Sequence, residues 1–566
     1  MRGHTPHGAT PGVRRRAIGW RQLALLGVLV ATGAWWFARP PAPESNGHRG
    51  EPVLLRVTDP RTPVDFTLVL RLPGEGQLRR FLNALTDPAS PDYHHFIDAA
   101  VFGERFGVSR AALNRACALL ARDGVQVTAN YPQRTALDVR ATAGTIDRVF
   151  GARLMDWREA DGQIYHAPLG AATVPGDLSQ AVSAVAGLDG TAFVADDSPA
   201  IQGLAPASAR SVYDIDPLLG QAVSGQGENI ALVEFSQFDQ SDLDAFDQQF
   251  NLPDVAPSSV AVDGGATDTS SSAVAEADLD LEVAHEIAPS AGLIDYNAPQ
   301  STSSGADAFG DIVDRITADG QARVVSDSWG SCELETPRAD IQRDEQALDA
   351  AAAAGISVFV AAGDTGAYTC QEDRDSDHRL SVSWPSSSPF AVSVGGTSLL
   401  MSATGAYESE TAWNDTLEQM GGGGGLSVDY ARPAWQIGPG VANHFSNGMR
   451  QVPDVAAAAD PWSGWDTYTG GALAVAGGTS AATPFWAASM ALVAEYARLH
   501  GAGQLGFVDP MLYAIASRPQ RAPAFHDITI GSNRYYPATP GWNFASGLGS
   551  PEVANLGEDV VVYLKR

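Results

Sequence analysis

ISVFVAAGDTG occupies residues 356–366: an almost wholly apolar run followed by Gly-Asp-Thr-Gly. A short continuous apolar run bounded by turn residues reads as a strand buried on both faces, as parallel sheets require. NIALVEF (229–235) and ARVVSDS (322–328) read the same way, and Ala-rich helical stretches separate them. This βα alternation predicts an α/β fold, a mainly parallel sheet with helices on both faces. In such sheets ligand and catalytic groups collect at the carboxyl ends of the strands. Asp364, in the turn after the 356–362 strand, is therefore a candidate, set against the common Asx-turn.

A second candidate lies further on. GGTSAATP (477–484) is a turn leading into the helical run FWAASMALVAEYARL. A serine at such a helix start is exposed to chemistry, and the positive end of the dipole favours an anionic transition state. The competing GGTS at 395–398 runs into LLMSATGAY, a strand and turn, so Ser398 has no helix behind it. A helix-capping serine is the bland reading of Ser480, which needs a partner base. No HGTH-type segment supplies a histidine. AEADLDLEVAHEIAP (275–289) supplies carboxylates instead. At about 100° per residue, Glu276, Asp280, Val283 and Ile287 share one helix face, and Asp278, Glu282 and His285 point elsewhere. Two acids on an apolar stripe should have at least one pKa raised by burial and repulsion. A solvated acidic face is the alternative, and His285 as base would need the opposite side of the helix.

Upstream, residues 1–40 form a separate segment. Six arginines and no acid precede or flank LALLGVLVATGAWWFA (23–38), and a Pro-rich stretch follows. A basic head before an apolar stretch reads as a secretory signal. With Trp35 and Trp36 at its end it reads equally as an N-terminal membrane anchor. Either way the rest of the chain is exported, to a secreted or extracytoplasmic location. Residues 50–190 form a first globular block. TLVLRL (67–72), VQVTANY (125–131) and TALDVRA (135–141) predict strands, residues 76–85 and 109–122 predict helices, and GTIDRVFGARL (144–154) predicts a helix ending near Gly151. Helices crossing a small antiparallel sheet suggest a ferredoxin-like α+β unit. A polar, Pro-containing connector at 191–210 leads into the second block, 211–566.

Composition narrows the function. The 566 residues carry 36 Lys+Arg against 66 Asp+Glu, a net charge of −30. Nucleic acid is excluded as a partner, because binding it needs clustered positive charge. Lys565 is the single lysine and nearly terminal, which disfavours a Ser–Lys dyad, a Schiff-base enzyme or a P-loop ATPase. Three cysteines without CxxC or Cys/His spacing offer neither a disulfide scaffold nor zinc.

Taken in order, the motifs resemble one family. LTDPASPDYHHFI (85–97), ERFGVS (104–109) and AVAGLD (184–189) look like the activation propeptide of the sedolisins, the serine-carboxyl peptidases that include kumamolisin-like members. ExxLDxE at Glu276–Glu282, SWG (328–330), AAGDTG (361–366), RQVPDVAAAADP (450–461), GGTSAATP (477–484) and HDITIGSN…PGWNFASGLGSP (526–551) resemble the catalytic domain of that family. The resemblance implies a subtilisin-like fold in which glutamate replaces the catalytic histidine. It makes Ser480 the nucleophile, Glu276 the general base, Asp280 the group orienting Glu276, and Asp364 a donor to the oxyanion. Glu234 and Trp329 match positions that extend the proton network in some members. A carboxylate deprotonates serine effectively only with a raised pKa, and Asp364 donates only while protonated, so activity is expected in acid.

The resemblance further implies one structural calcium ion, held by Asp527, the carbonyls of Ile528 and Gly541, and Asn543. The sequence departs from the pattern here. Asn543 stands where the usual residue is aspartate, and Thr539 or Pro540 where it is glycine. Fewer carboxylates lower calcium affinity. Cys332 and Cys370 follow neighbouring strand ends, and an exported protein permits a disulfide between them, with Cys117 left unpaired. GGGGGLS (421–427) reads as a flexible loop, although substrate backbone could pack on it. The expectation is a monomeric zymogen of an acid endopeptidase acting on proteins or peptides, with its own propeptide as intramolecular inhibitor. The competing readings are a catalytically dead peptide-binding relative, a histidine-dependent subtilisin-like enzyme and a non-enzymatic adhesin.

Overall fold

The computed structural model describes residues 53–158, 164–189, 203–299, 308–373, 376–402 and 405–565. The leader, including the stretch 23–38 read as signal or anchor, lies outside the described residues, as does most of the 191–210 connector. Among the described residues no helix is long and apolar enough to cross a membrane.

The first block forms a four-stranded antiparallel sheet in the order Gln126–Ala129, Ala136–Thr142, Pro63–Leu70, Val182–Ala186. Helices Glu75–Thr86 and Arg110–Arg122 follow the Pro63–Leu70 strand, and helix Ala143–Phe150 precedes the last strand. This is the ferredoxin-like βαββαβ order. Its helix ends carry the expected punctuation. Ser109 Oγ and Thr142 Oγ1 accept the Ala112 and Thr145 N–H groups at two N-termini, and Gly151, at φ 67°, closes Ala143–Phe150. Val64, Phe66 and Leu68 alternate inward against Ile146, Phe150 and Leu120.

The second block is built on a larger sheet. Its strands lie in the order Tyr407–Ala412, Ala391–Met401, Ser357–Ala361, Val324–Asp327, Asn229–Glu234, Gly292–Asn297, Ser258–Ala261, with Val455–Ala458 also paired to Ala391–Met401. Every pairing is parallel except that of Tyr407–Ala412. The strands read as continuous apolar runs because both faces are covered. Ile230, Leu232 and Phe359 pack with the helices Ser271–Ile287 and Thr479–Leu499. Ala231, Val233, Val358 and Val360 pack on the opposite side with Ala308–Asp319 and Arg338–Ala353. Each large apolar side chain so buried contributes roughly 1.5–3 kcal/mol.

The 271–287 helix departs from the expected amphipathic stripe. From Glu276 to Ile287 every residue is buried, the acids Asp278, Glu282 and Glu286 included. Helix Gln240–Phe250, helix Thr479–Leu499 and the hairpin Trp465–Thr469/Ala472–Ala476 enclose it, and the hairpin and its neighbours donate hydrogen bonds to two of the acids. Asp278 accepts from Asp239 N–H and Thr469 Oγ1, and Glu282 accepts from Tyr468 N–H. The first block docks on the Arg338–Ala353 helix and its surroundings. Arg79 reaches Asp349 at 3.2 Å and Glu345 at 3.5 Å, Ile97 N–H bonds Ala353 O at 2.9 Å, and Gln133 and Thr135 bond Asp314. Cys332 and Cys370 form a disulfide with Cα atoms 4.9 Å apart, and Cys117 is a free thiol.

Candidate active site

Three neighbouring strands, Asn229–Glu234, Val324–Asp327 and Ser357–Ala361, deliver Glu234, Ser328 with Trp329, and Asp364 at or just beyond their carboxyl ends. The helix beginning at Thr479 points its N-terminus into the same region. Gly478 precedes it at φ 99°, a left-handed conformation that only glycine adopts without strain. Ser480 is the second helical residue and is 3% exposed.

Pro484 explains how the serine turn is tied down. Proline has no N–H to return to the carbonyl four residues earlier, so the Ser480 carbonyl is left available for another donor. Ser328 Oγ occupies that position at 3.2 Å and also lies 2.8 Å from Asp280 Oδ1. Ser480 Oγ in turn donates to the Ser328 carbonyl at 3.4 Å. Ser328 therefore joins the helix of Glu276 and Asp280 to the helix of Ser480. The sequence reading assigned Ser328 no role. Its only signal was membership of the SWG motif at the end of an apolar strand.

Glu276 and Asp280, one turn apart, are 1% and 0% exposed. Burial pushes the Asp280 carboxyl up to about 8, opposed by the Ser328 hydroxyl and by Glu234. Glu234 is raised well above the ordinary glutamate range by burial, then by repulsion from Asp280, Asp295 and Glu276, while the Trp329 indole N–H opposes that shift. Trp329 Nε1 lies 3.4 Å from Glu234 Oε2. The residues read as a proton network thus lie in one continuous buried patch. His285 is elsewhere: its Nε2 sits 2.8 Å from the Pro253 carbonyl and 3.1 Å from Asp247.

Asp364 faces the serine helix directly. Its Oδ1 accepts from Thr479 N–H at 2.7 Å and Thr479 Oγ1 at 2.8 Å, and its own N–H donates to Glu372 Oε1 at 2.7 Å. The five glycines are no flexible loop; all are buried and support this turn. Gly421 and Gly423 donate their N–H groups to the Asp364 and Gly363 carbonyls, each at 2.7 Å. A Cβ on Gly423 would lie 1.8 Å from the Ala362 carbonyl oxygen and 2.9 Å from Gly363 N, both backbone atoms. Gly423→Ala is accordingly expected to displace Asp364 and cut turnover by about 10²-fold or more. Gly425→Ala, whose Cβ meets only side chains at 3.1 Å or beyond, is expected to cost far less. Steady-state rates of the two purified variants check this.

The residues matched to a calcium site cluster in the C-terminal loop. Asp527 is exposed and its Oδ1 accepts from Gly541 N–H at 3.0 Å. The Ile528, Thr539 and Gly541 carbonyls all accept from Asn543 Nδ2, at 3.1, 3.1 and 3.4 Å.

Comparison with known proteins places this geometry in context. Residues 53–191 match the pro-kumamolisin activation domain, and residues 134–502 match the subtilase family. Kumamolisin of Bacillus sp. (strain MN-32) is 33% identical over 435 residues, spanning 72% of this chain and 75% of that protein. Sedolisin of Pseudomonas sp. (strain 101) is 29% identical over 521 residues, 86% and 85% of the two chains. Human tripeptidyl-peptidase 1 is 24% identical over 590 residues, 94% and 98% of the two. Among solved structures, Pseudomonas sedolisin, a serine-carboxyl proteinase complexed with pseudo-iodotyrostatin, superposes with a TM-score of 0.56 at 28% identity. That match covers 64% of this chain and 98% of the sedolisin chain.

Proposed function

Because the chain belongs to the subtilase family, in its kumamolisin–sedolisin branch of serine-carboxyl peptidases with an activation domain, we propose that it is the exported zymogen of an acid-active endopeptidase using Ser480, Glu276, Asp280 and Asp364. One observation carries this reading. The Ser480 helix start, the Glu276/Asp280 helix and Asp364 meet at the carboxyl ends of three adjacent strands, joined through Ser328 and Thr479.

Glu276 takes the proton from Ser480 Oγ as that oxygen attacks the peptide carbonyl, and Asp280, one helical turn away, holds Glu276 in place. The tetrahedral oxyanion is stabilised by a hydrogen bond from protonated Asp364. With Oδ1 already accepting from Thr479 twice, the donating proton belongs on Oδ2. The amine leaves with the proton from Glu276, and water hydrolyses the acyl-enzyme by the same steps in reverse. Glu276 must be ionised and Asp364 neutral, so the rate profile is bell-shaped and centred in acid. Glu234 and Trp329 extend the buried hydrogen-bonded chain behind Asp280 and tune its charge.

The first block acts as an intramolecular inhibitor, removed by cleavage within the connector that follows it. The basic-then-apolar leader supports export. The test is the intact mass of residues 41–566 after incubation near pH 4, close to ordinary carboxyl pKa values, beside Ser480→Ala. Loss of an N-terminal fragment of first-block size from the native sequence alone is the expected result. Cleavage of both would point to a contaminating protease, and survival of both would contradict self-processing. Internal cleavage of an N-terminally blocked peptide separates endopeptidase action from tripeptide release.

A further inference from the structure

The loop from Phe525 to Pro551 is where the family resemblance implies calcium, and its donor set as arranged does not fit that ion. Calcium takes about six to eight oxygen ligands at roughly 2.3–2.6 Å. Three carbonyl oxygens do converge here, those of Ile528, Thr539 and Gly541, but the atom at their focus is Asn543 Nδ2. The orientation of that amide is fixed from its other end. Asn543 Oδ1 accepts from Ala545 N–H at 3.0 Å, Ser546 N–H at 3.1 Å and Ser546 Oγ at 3.2 Å. Turning the amide over would set its oxygen against three acceptors and its nitrogen against two N–H donors. Asn543 is 1% exposed, so water cannot compensate for such a mismatch. Asp527, the single carboxylate matched to the set, spends Oδ1 on the Gly541 N–H.

We infer that the Asn543 carboxamide replaces the structural calcium ion, so that this loop is held together without metal. An NH2 group and a cation are alternatives at such a focus, because each offers positive charge density to the same carbonyl lone pairs. The amide has two hydrogens for three carbonyls, which its longer contact to Gly541 reflects. An aspartate at 543 could keep the acceptor role toward Ala545 and Ser546. It would bring an oxygen to the focus, and that oxygen repels the carbonyls unless a cation lies between them. The exchange matters beyond the loop. Asn533 Nδ2 donates to the Gly424 and Phe544 carbonyls at 3.2 Å each, linking this loop to the glycine segment 421–425 that supports Asp364.

The test is metal content and thermal unfolding of the full chain near neutral pH, in EDTA, in calcium and in magnesium at matched ionic strength. The magnesium arm removes non-specific effects of cations on so acidic a protein. The native chain is expected to carry no stoichiometric calcium, and its Tm should differ by less than about 1 °C between EDTA and calcium, since a ligand that does not bind shifts nothing. Asn543→Asp is expected to unfold at lower temperature in EDTA and to regain at least about 2 °C in calcium over magnesium. Stoichiometric calcium in the native chain, with a Tm drop when EDTA removes it, would overturn the inference whatever the variant does. Failure of a folded Asn543→Asp chain to respond to calcium would overturn the claim that the amide occupies an ion's place.

Discussion

Replacing Ser480 with alanine is expected to lower peptide hydrolysis by about 10⁶-fold, to the rate that oxyanion stabilisation and binding alone would leave. Glu276→Gln is expected to fall nearly as far. The glutamine keeps the shape of the buried side chain, which is 1% exposed, but cannot accept the serine proton. In the proposed mechanism nucleophile and base act as one unit, so the double variant should be scarcely slower than either single one. Single-turnover cleavage of a fluorogenic peptide in acid measures all three. Additive losses would mean that Ser480 and Glu276 serve separate steps. An unimpaired Glu276→Gln would return the base role to another group. Asp280→Asn should cost less, because the Ser328 hydrogen bond at 2.8 Å and the surrounding packing still hold the helix turn.

The second large effect is on stability. Burial is the leading cause that raises the carboxyls of Glu234, Glu282, Glu286 and Asp327, of Asp295 to about 6, Asp278 to about 7 and Asp280 to about 8. The folded chain therefore holds protons that the unfolded chain has released. For a group whose folded pKa is raised, the stabilisation is complete below the unfolded value and is lost as pH climbs through the folded one. The window runs from the ordinary carboxylate range, near pH 4, to about pH 8. At about 1.4 kcal/mol per unit, Asp278 alone contributes on the order of 4 kcal/mol across it. Exposed acids with lowered values, such as Asp59 beside Arg61, pull the other way only below that window and are screened by solvent. His94, His166 and His526, lowered by burial from 6.5, oppose the trend below that value, as three groups against seven acids. Calorimetry of the Ser480→Ala chain, chosen so that no self-processing is expected, should show Tm falling from about pH 4 to about pH 8. A flat or rising profile would contradict this account.

Much of this architecture was legible in the residues. NIALVEF, ARVVSDS and ISVFVAA became parallel strands because two cores, one on each face, demand apolar side chains at consecutive positions. Three of the first block's four sheet strands followed from apolar patterning, and the end of its 143–150 helix from Gly151, a helix stop that needs no tertiary context. The 271–287 helix was harder. Its charges suggest a solvated side, yet the hairpin at 465–476 covers it and turns Asp278 and Glu282 into hydrogen-bond acceptors. That hairpin is distant in sequence, so no local pattern could announce it. Ser328 escaped for a similar reason, since its two partners, Asp280 and the Ser480 carbonyl, are 48 and 152 positions away. The direction of the Asn543 amide depends on carbonyls and N–H groups, which leave no trace in side-chain pattern.

The glycine run from Gly421 to Gly425 reverses the usual link between simple composition and tolerance of change. Low-complexity stretches are where mutations accumulate harmlessly and where fusion partners are spliced in. Here the absence of side chains is the information. A Cβ at Gly422, Gly423 or Gly424 would come within 2.7, 1.8 or 2.2 Å of backbone atoms of other segments. In a saturation screen these positions should rank among the least permissive of the chain, and a serine-rich linker of equal length should fail to replace them.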